Sequence, residues 1–251
     1  MVLNRFSQVS ILSILPAGAA LLAAGTAFAA NPDFRISHQA MRFNYASTTE
    51  KAKDGASGEQ KTTTSNIEMF YGGFELAAFL GNWAIYSYPA TTGASLVIGY
   101  TGIPNFEVGP VIGVNSSSKT VKTEGIDEEQ KKSTMKFEVG AFAFYGLNLG
   151  STKLELSLTP KLVSTSEKTE GEPATTTAGG DTEGGDSEIK TSTFHVTFDA
   201  TVPFSLAENF EYAPGLDFTF SSGSTDRKDQ YKTDISEIAI NLNIAKFRYT
   251  F

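Results

Sequence analysis

The chain has 251 residues, 19% of them charged, a formal net charge of −8 and no cysteine. Those figures exclude disulfide scaffolds, a lipid-anchoring N-terminal cysteine, cysteine-ligated zinc and thiol nucleophiles. The acidic balance argues against nucleic acid as a partner, since that needs a basic face. Two histidines, His38 and His195, leave little material for a histidine-rich metal site, and nothing in the sequence calls for a cofactor.

The first element is an address. Residues 1–29 carry a single charge, Arg5, followed by an apolar stretch that ends in Ala27-Phe28-Ala29. A positive start, an apolar middle and small residues at −3 and −1 describe a secretory signal peptide cleaved after Ala29. The alternative, a retained N-terminal membrane helix, fits less well because Asn31-Pro32-Asp33 follows at once. Residues 30–251 are then one folded domain.

That domain alternates with period two, the mark of strands with one apolar and one polar face. The expected strands are 34–47, 66–79, 83–89, 94–103, 106–116, 133–147, 153–165, 190–204, 210–222 and 234–251. Leu154, Leu156 and Leu158 alternate with Glu155, Ser157 and Thr159. Phe194, Val196 and Phe198 alternate with His195, Thr197 and Asp199. The run from Leu76 to Phe106 holds no charge, but its Asn, Pro, Gly, Val, Ile and Tyr content favours strands over a membrane helix. Apolar phase changes parity twice, between Ile36 and Met41 and between Ile244 and Phe247. A one-residue bulge near Ala245-Lys246 would reconcile the second change.

Connections alternate in length. Leu80-Gly81-Asn82, Ile103-Pro104-Asn105, Asn148 to Thr152 and Ser205 to Asn209 are short, whereas 48–65, 116–133, 166–190 and 222–233 are long and hydrophilic. Short turns on one side and long polar loops on the other describe an all-β, antiparallel up-and-down transmembrane barrel of ten strands. Eight strands is the alternative if the short 83–89 segment and its neighbour do not form a true hairpin, and a secreted β-sandwich is the runner-up fold. The chain closes on Phe247, Tyr249 and Phe251 at period two. This end resembles the C-terminal signature of small bacterial outer-membrane β-barrels, the porin-like and OmpA/OmpX-like class. The resemblance implies an outer-membrane location, contact with lipid and lipopolysaccharide, and periplasmic chaperones and the barrel assembly machinery as partners.

A barrel of this size encloses little more than its own side chains. The expected lumen-facing charges are Glu75, Glu107, Lys136, Glu138, Glu155, Lys161, His195, Asp199, Glu211, Asp217 and Glu237, an acidic majority. Buried charges must pair or stay wet. Two readings follow: a polar plug inside a structural or surface-recognition barrel whose loops do the work, or a narrow, cation-preferring channel. An outer-membrane hydrolase or acyltransferase is the least favoured reading. His195 and Asp199 lie about 13 Å apart along one strand, and no G-x-S-x-G or H-E-x-x-H motif occurs. The loop 166–190 is acidic and glycine-rich, but its Gly-Gly-Asp steps match no complete calcium-binding repeat.

Overall fold

The computed structural model describes residues 33–52, 59–69, 74–90, 93–122, 129–150, 152–170, 175–176, 182–183, 187–227 and 231–251. The expected signal peptide, with Ala27 and Ala29, lies outside them, as does most of the acidic connection after 170. Fifteen strands run β1 Asp33–Ala52, β2 Glu59–Met69, β3 Phe74–Leu80, β4 Trp83–Ala90, β5 Gly93–Ile103, β6 Phe106–Lys122, β7 Glu129–Leu149, β8 Thr152–Glu170, β9 Thr175–Thr176, β10 Thr182–Glu183, β11 Ser187–Thr201, β12 Phe204–Ala207, β13 Phe210–Tyr212, β14 Gly215–Arg227 and β15 Tyr231–Thr250. β9 and β10 pair only with each other, and the other thirteen form one antiparallel sheet.

That sheet closes, because β1 pairs with β15 on one side and with β2 and β3 on the other. Three staves are each interrupted once. β2 continues β3, β12 continues β11 and β13 continues β14, so the thirteen segments make ten staves. Ten is therefore the strand count, with the short β4 a genuine stave paired to β3 and β5. Closure leaves no open edge inside the bilayer, where an unpaired backbone group has no water to bond. The terminal residue completes the seam: Phe251 N donates to Phe34 O at 2.9 Å, and Phe34 N donates back at 3.3 Å.

One end of the barrel carries tight turns. Gly81 and Gly150 sit at φ 61° and 68°, and Asn105 takes the same left-handed conformation at φ 59°. The other end carries the taller hairpins. The outer wall is apolar all round, with Phe43, Val108, Phe137, Leu158, Phe198, Phe218 and Ile240 among the exposed large side chains. Phe198 on β11 faces Phe218 on β14 near mid-height, 43% and 41% exposed. Exposed apolar area on that scale demands a lipid neighbour. Replacing Phe198 by Arg is expected to destabilise the barrel by about 2–4 kcal/mol in a bilayer, the depth-dependent cost of a cation at the midplane. Urea unfolding from liposomes measures it.

Both parity changes have one structural cause. Gln39 pairs with Lys246, Met41 with Ala245 and Arg42 with Asn243. β1 therefore carries one extra residue at Ala40, and β15 carries one at Ile244, at nearly the same height. Below this point Phe34, Ile36, Phe247 and Tyr249 share the outward parity. Above it Phe43, Tyr45, Ile240 and Leu242 do.

Candidate functional site in the lumen

The inward faces of the staves enclose a cavity of about 560 Å³. Its lining includes Arg35, Arg42, Glu75, Glu107, Lys136, Glu138, Lys153, Glu155, Lys161, Asp199, Asp217, Lys246 and Arg248, seven cations against six carboxylates.

Near the tight-turn end, ion pairs cross the lumen. Arg248 Nη1 on β15 donates to Glu155 Oε2 on β8 at 2.6 Å. These staves are not neighbours, because β14 and β11 stand between them. Both side chains are buried, at 7% and 8% exposure. Glu211 lies 3.8 Å from the same guanidinium nitrogen, and Lys153 lies 3.8 Å from the other oxygen of Glu155. Lys246 reaches Glu75 at 2.9 Å, from β15 to β3. Arg35 lies over the rings of Phe79 and Tyr86, at 5.3 and 6.0 Å, and the Tyr86 hydroxyl donates to Glu107 Oε2 at 2.6 Å. Together these groups form a floor.

The β3–β7 side of the lumen is filled differently. Tyr86, Val97, Val111 and Phe142 are buried against one another, with Phe79 and Phe144 packed on them. Inward positions of a membrane barrel are ordinarily polar, so this apolar plug is a departure. It rests on small residues: a Cβ on Gly99 would come within 1.7 Å of Glu107 Oε1.

Higher up, Glu138 is held by two lysines, Lys136 at 2.5 Å and Lys161 at 3.1 Å, and by Ser95 Oγ at 2.9 Å. Asp217 accepts from the Asn241 and Asn243 amides at 2.5 and 2.9 Å. Asp199, opposite Asp217 in register, accepts from Thr201 at 2.9 Å. Glu237 accepts from Thr48 at 3.0 Å. His195 Nε2 lies 2.7 Å from Thr193 Oγ1, and His195 stands opposite Lys161 on one side and Ser221 on the other.

Of the eleven charges expected in the lumen, Glu75, Glu107, Lys136, Glu138, Glu155, Lys161, Asp199 and Asp217 line the cavity. Glu211 sits at the floor beside Arg248, while His195 and Glu237 sit above the cavity. Five cavity cations were missed by the sequence reading: Arg35, Arg42, Lys153, Lys246 and Arg248. Their parity was visible, since Arg35 alternates with Phe34 and Ile36 and Arg248 with Phe247 and Tyr249. At the C-terminal end, Phe247 stacks on Phe210 at 5.7 Å and Tyr249 meets Phe251 at 5.1 Å.

A closed ten-stave wall, an apolar outer belt and a charged lumen now stand together. This is the fold of the small bacterial outer-membrane β-barrels. The belt fits the hydrocarbon layer of a membrane. No protein-family model matches the chain, and no curated protein matches it. Among solved structures the chain is similar to the outer-membrane protease OmpT from Escherichia coli, at 10% identity and a TM-score of 0.42, covering 88% of this chain and 96% of that one. It is also similar to the outer-membrane protein OprG from Pseudomonas aeruginosa, at 12% identity and a TM-score of 0.39, covering 87% and 95%. Neisserial surface protein A gives 11% identity and a TM-score of 0.30, covering 87% and 97%. In this barrel Glu211 and Glu237 add to the six cavity carboxylates, so the lumen holds eight carboxylates against seven cations, and the acidic surplus expected from the sequence shrinks to one.

Proposed function

We propose that the protein is a structural, surface-displaying barrel, closed toward the periplasm, whose long hairpins on the outer side meet lipopolysaccharide and external partners. The observation that carries this reading is the Arg248–Glu155 bridge across the lumen at 2.6 Å. Two buried, oppositely charged groups on non-adjacent staves tie the walls together where a conducting path would have to pass. The reading predicts no unitary conductance steps above leak when the purified barrel is placed in planar bilayers at any voltage up to ±150 mV. Regular open steps would overturn it.

The second reading, a pore that opens when the floor yields, is favoured by the cavity above the floor. The reading treats His195 as a lumen residue whose ring is held by Thr193, not as a catalytic base. For assembly, the reading assigns Phe247, Tyr249 and Phe251 to recognition by the barrel assembly machinery after periplasmic chaperones deliver the chain.

A further inference from the structure

The wall is not of even height. β4 and β5 form a short hairpin, Trp83–Ala90 and Gly93–Ile103, while β1, β7, β8 and β15 are each nineteen residues or longer. Ala94, near the end of that hairpin, pairs with Val114 of β6, the last of the outward apolar positions on that strand. The hairpin therefore stops at the outer edge of the lipid belt. β6 goes on for eight more residues to Lys122, roughly 25 Å along the strand. Among the described residues, that stretch pairs only with β7, and β2 pairs only with β1. A gap two staves wide is left, among the described residues, between β2 and β6, with the β4–β5 hairpin as its sill.

The cavity reaches this sill. Ser95, just below the hairpin end, lines it together with Lys136 and Glu138. Inside the sill lies the apolar plug of Tyr86, Val97, Val111 and Phe142. At the sill itself Lys136 and Lys161 share one carboxylate, Glu138. At that contact two cations meet one anion, a local surplus of one positive charge. At the far end, the floor blocks onward passage. A volume of about 560 Å³ falls in the range of about 300–1,000 Å³ typical of ligand sites.

We propose that the lumen is a blind pocket that takes a small amphiphilic anion, with one carboxylate or phosphate head and a short apolar body, from the outer-leaflet interface through the gap above β4–β5. The head sits at Lys136 and Lys161, and the body lies against Val97, Val111 and Phe142. A molecule of this kind concentrates at the height of the sill, because its head stays in water while its tail stays in lipid. Entry from the side spares it the climb over the taller hairpins. This goes beyond surface display, and it rests on the closed floor of that reading.

The test is calorimetric titration of the barrel in lipid nanodiscs, with empty nanodiscs as the blank for bilayer partitioning. Octanoate and octyl phosphate are the probes for the two head groups, and octanol is the uncharged comparison. Saturable one-site binding of at least one anion, at least tenfold tighter than octanol, is expected. Whichever anion binds identifies the head group. Lys136→Gln leaves Glu138 paired with Lys161 and removes the surplus, so it should weaken the anion at least tenfold and leave octanol unchanged. Val111→Trp fills the pocket and should abolish saturable binding. Heats equal to those of empty discs for both anions would overturn the proposal. So would a Lys136→Gln protein, folded by heat-modifiable gel migration, that binds as tightly as the parent.

Discussion

Replacing Arg248 with alanine is expected to have the largest effect of any single lumen substitution. The guanidinium is the cation that holds Glu155 at 2.6 Å and stands 3.8 Å from Glu211. Without it, the nearest cation to the buried Glu155 among the described residues is Lys153, at 3.8 Å from its other oxygen. Breaking one partner out of a buried ion pair costs about 3–5 kcal/mol, because the remaining charge stays desolvated. Urea unfolding in liposomes should show a loss of that size. Arg248→Met combined with Glu155→Met removes both charges and should recover most of it, since apolar replacement of an entire buried pair is often neutral. The alanine variant also tests the two functional readings. If the bridge is what closes the floor, Arg248→Ala converts a silent barrel into one with unitary conductance steps. A variant that loses stability and stays silent means that the apolar plug on the β3–β7 side closes the lumen without the bridge.

A comparable loss is expected from Gly109→Ala, for a steric reason. β5 and β6 pair at Val97 with Val111 and at Tyr100 with Val108, and no pairs fall between. Pro110 lies in that interval and lacks the N–H that a ladder bond needs. A Cβ at Gly109 would lie 1.7 Å from the carbonyl oxygen of Ile98 and 3.1 Å from Gly99 Cα. Those are backbone atoms, so no flexible side chain can swing away. The strands themselves would have to separate, next to the Glu107–Tyr86 contact that anchors the floor. Overpacking of this kind costs about 3 kcal/mol. Refolding yield by heat-modifiable migration and urea unfolding both read it. A variant with parental stability would mean that β5 and β6 lie farther apart than this register implies.

The ten staves were legible because a membrane barrel writes its two faces into the sequence with period two. Leu154–Leu158 and Phe194–Phe198 show it most clearly, whereas the short Trp83 strand left eight strands open as an alternative until its pairing with β3 and β5 made it a stave of the wall. The lumen was half legible. Parity gives the face a side chain takes, but not the register between staves, so the partnership of Arg248 with Glu155 could not be read. The cations at Arg35, Lys246 and Arg248 lie beyond the points where the phase of β1 and β15 changes, so extending the parity of the upper half of each strand turns them outward. The plug was hidden for a different reason. Phe79, Phe142 and Phe144 are aromatic at inward positions, where the sequence pattern leads one to expect polar groups. The breaks at 202–203 and 213–214 left no periodic trace.

The paired extra residues at Ala40 and Ile244 carry an evolutionary consequence. Deleting either one alone would turn half a stave inside out, sending Phe34 and Ile36, or Phe247 and Tyr249, into the lumen and their charged neighbours into lipid. Losing both together would restore an unbroken ladder between β1 and β15, yet it would invert both lower halves at once against β3 and β13, whose own faces do not change. Neither deletion can therefore rescue the other. Each extra residue is held in place by the stave on the far side of its strand, and a relative of this chain that lacks either one should carry its polar and apolar residues exchanged along the whole lower half of that stave.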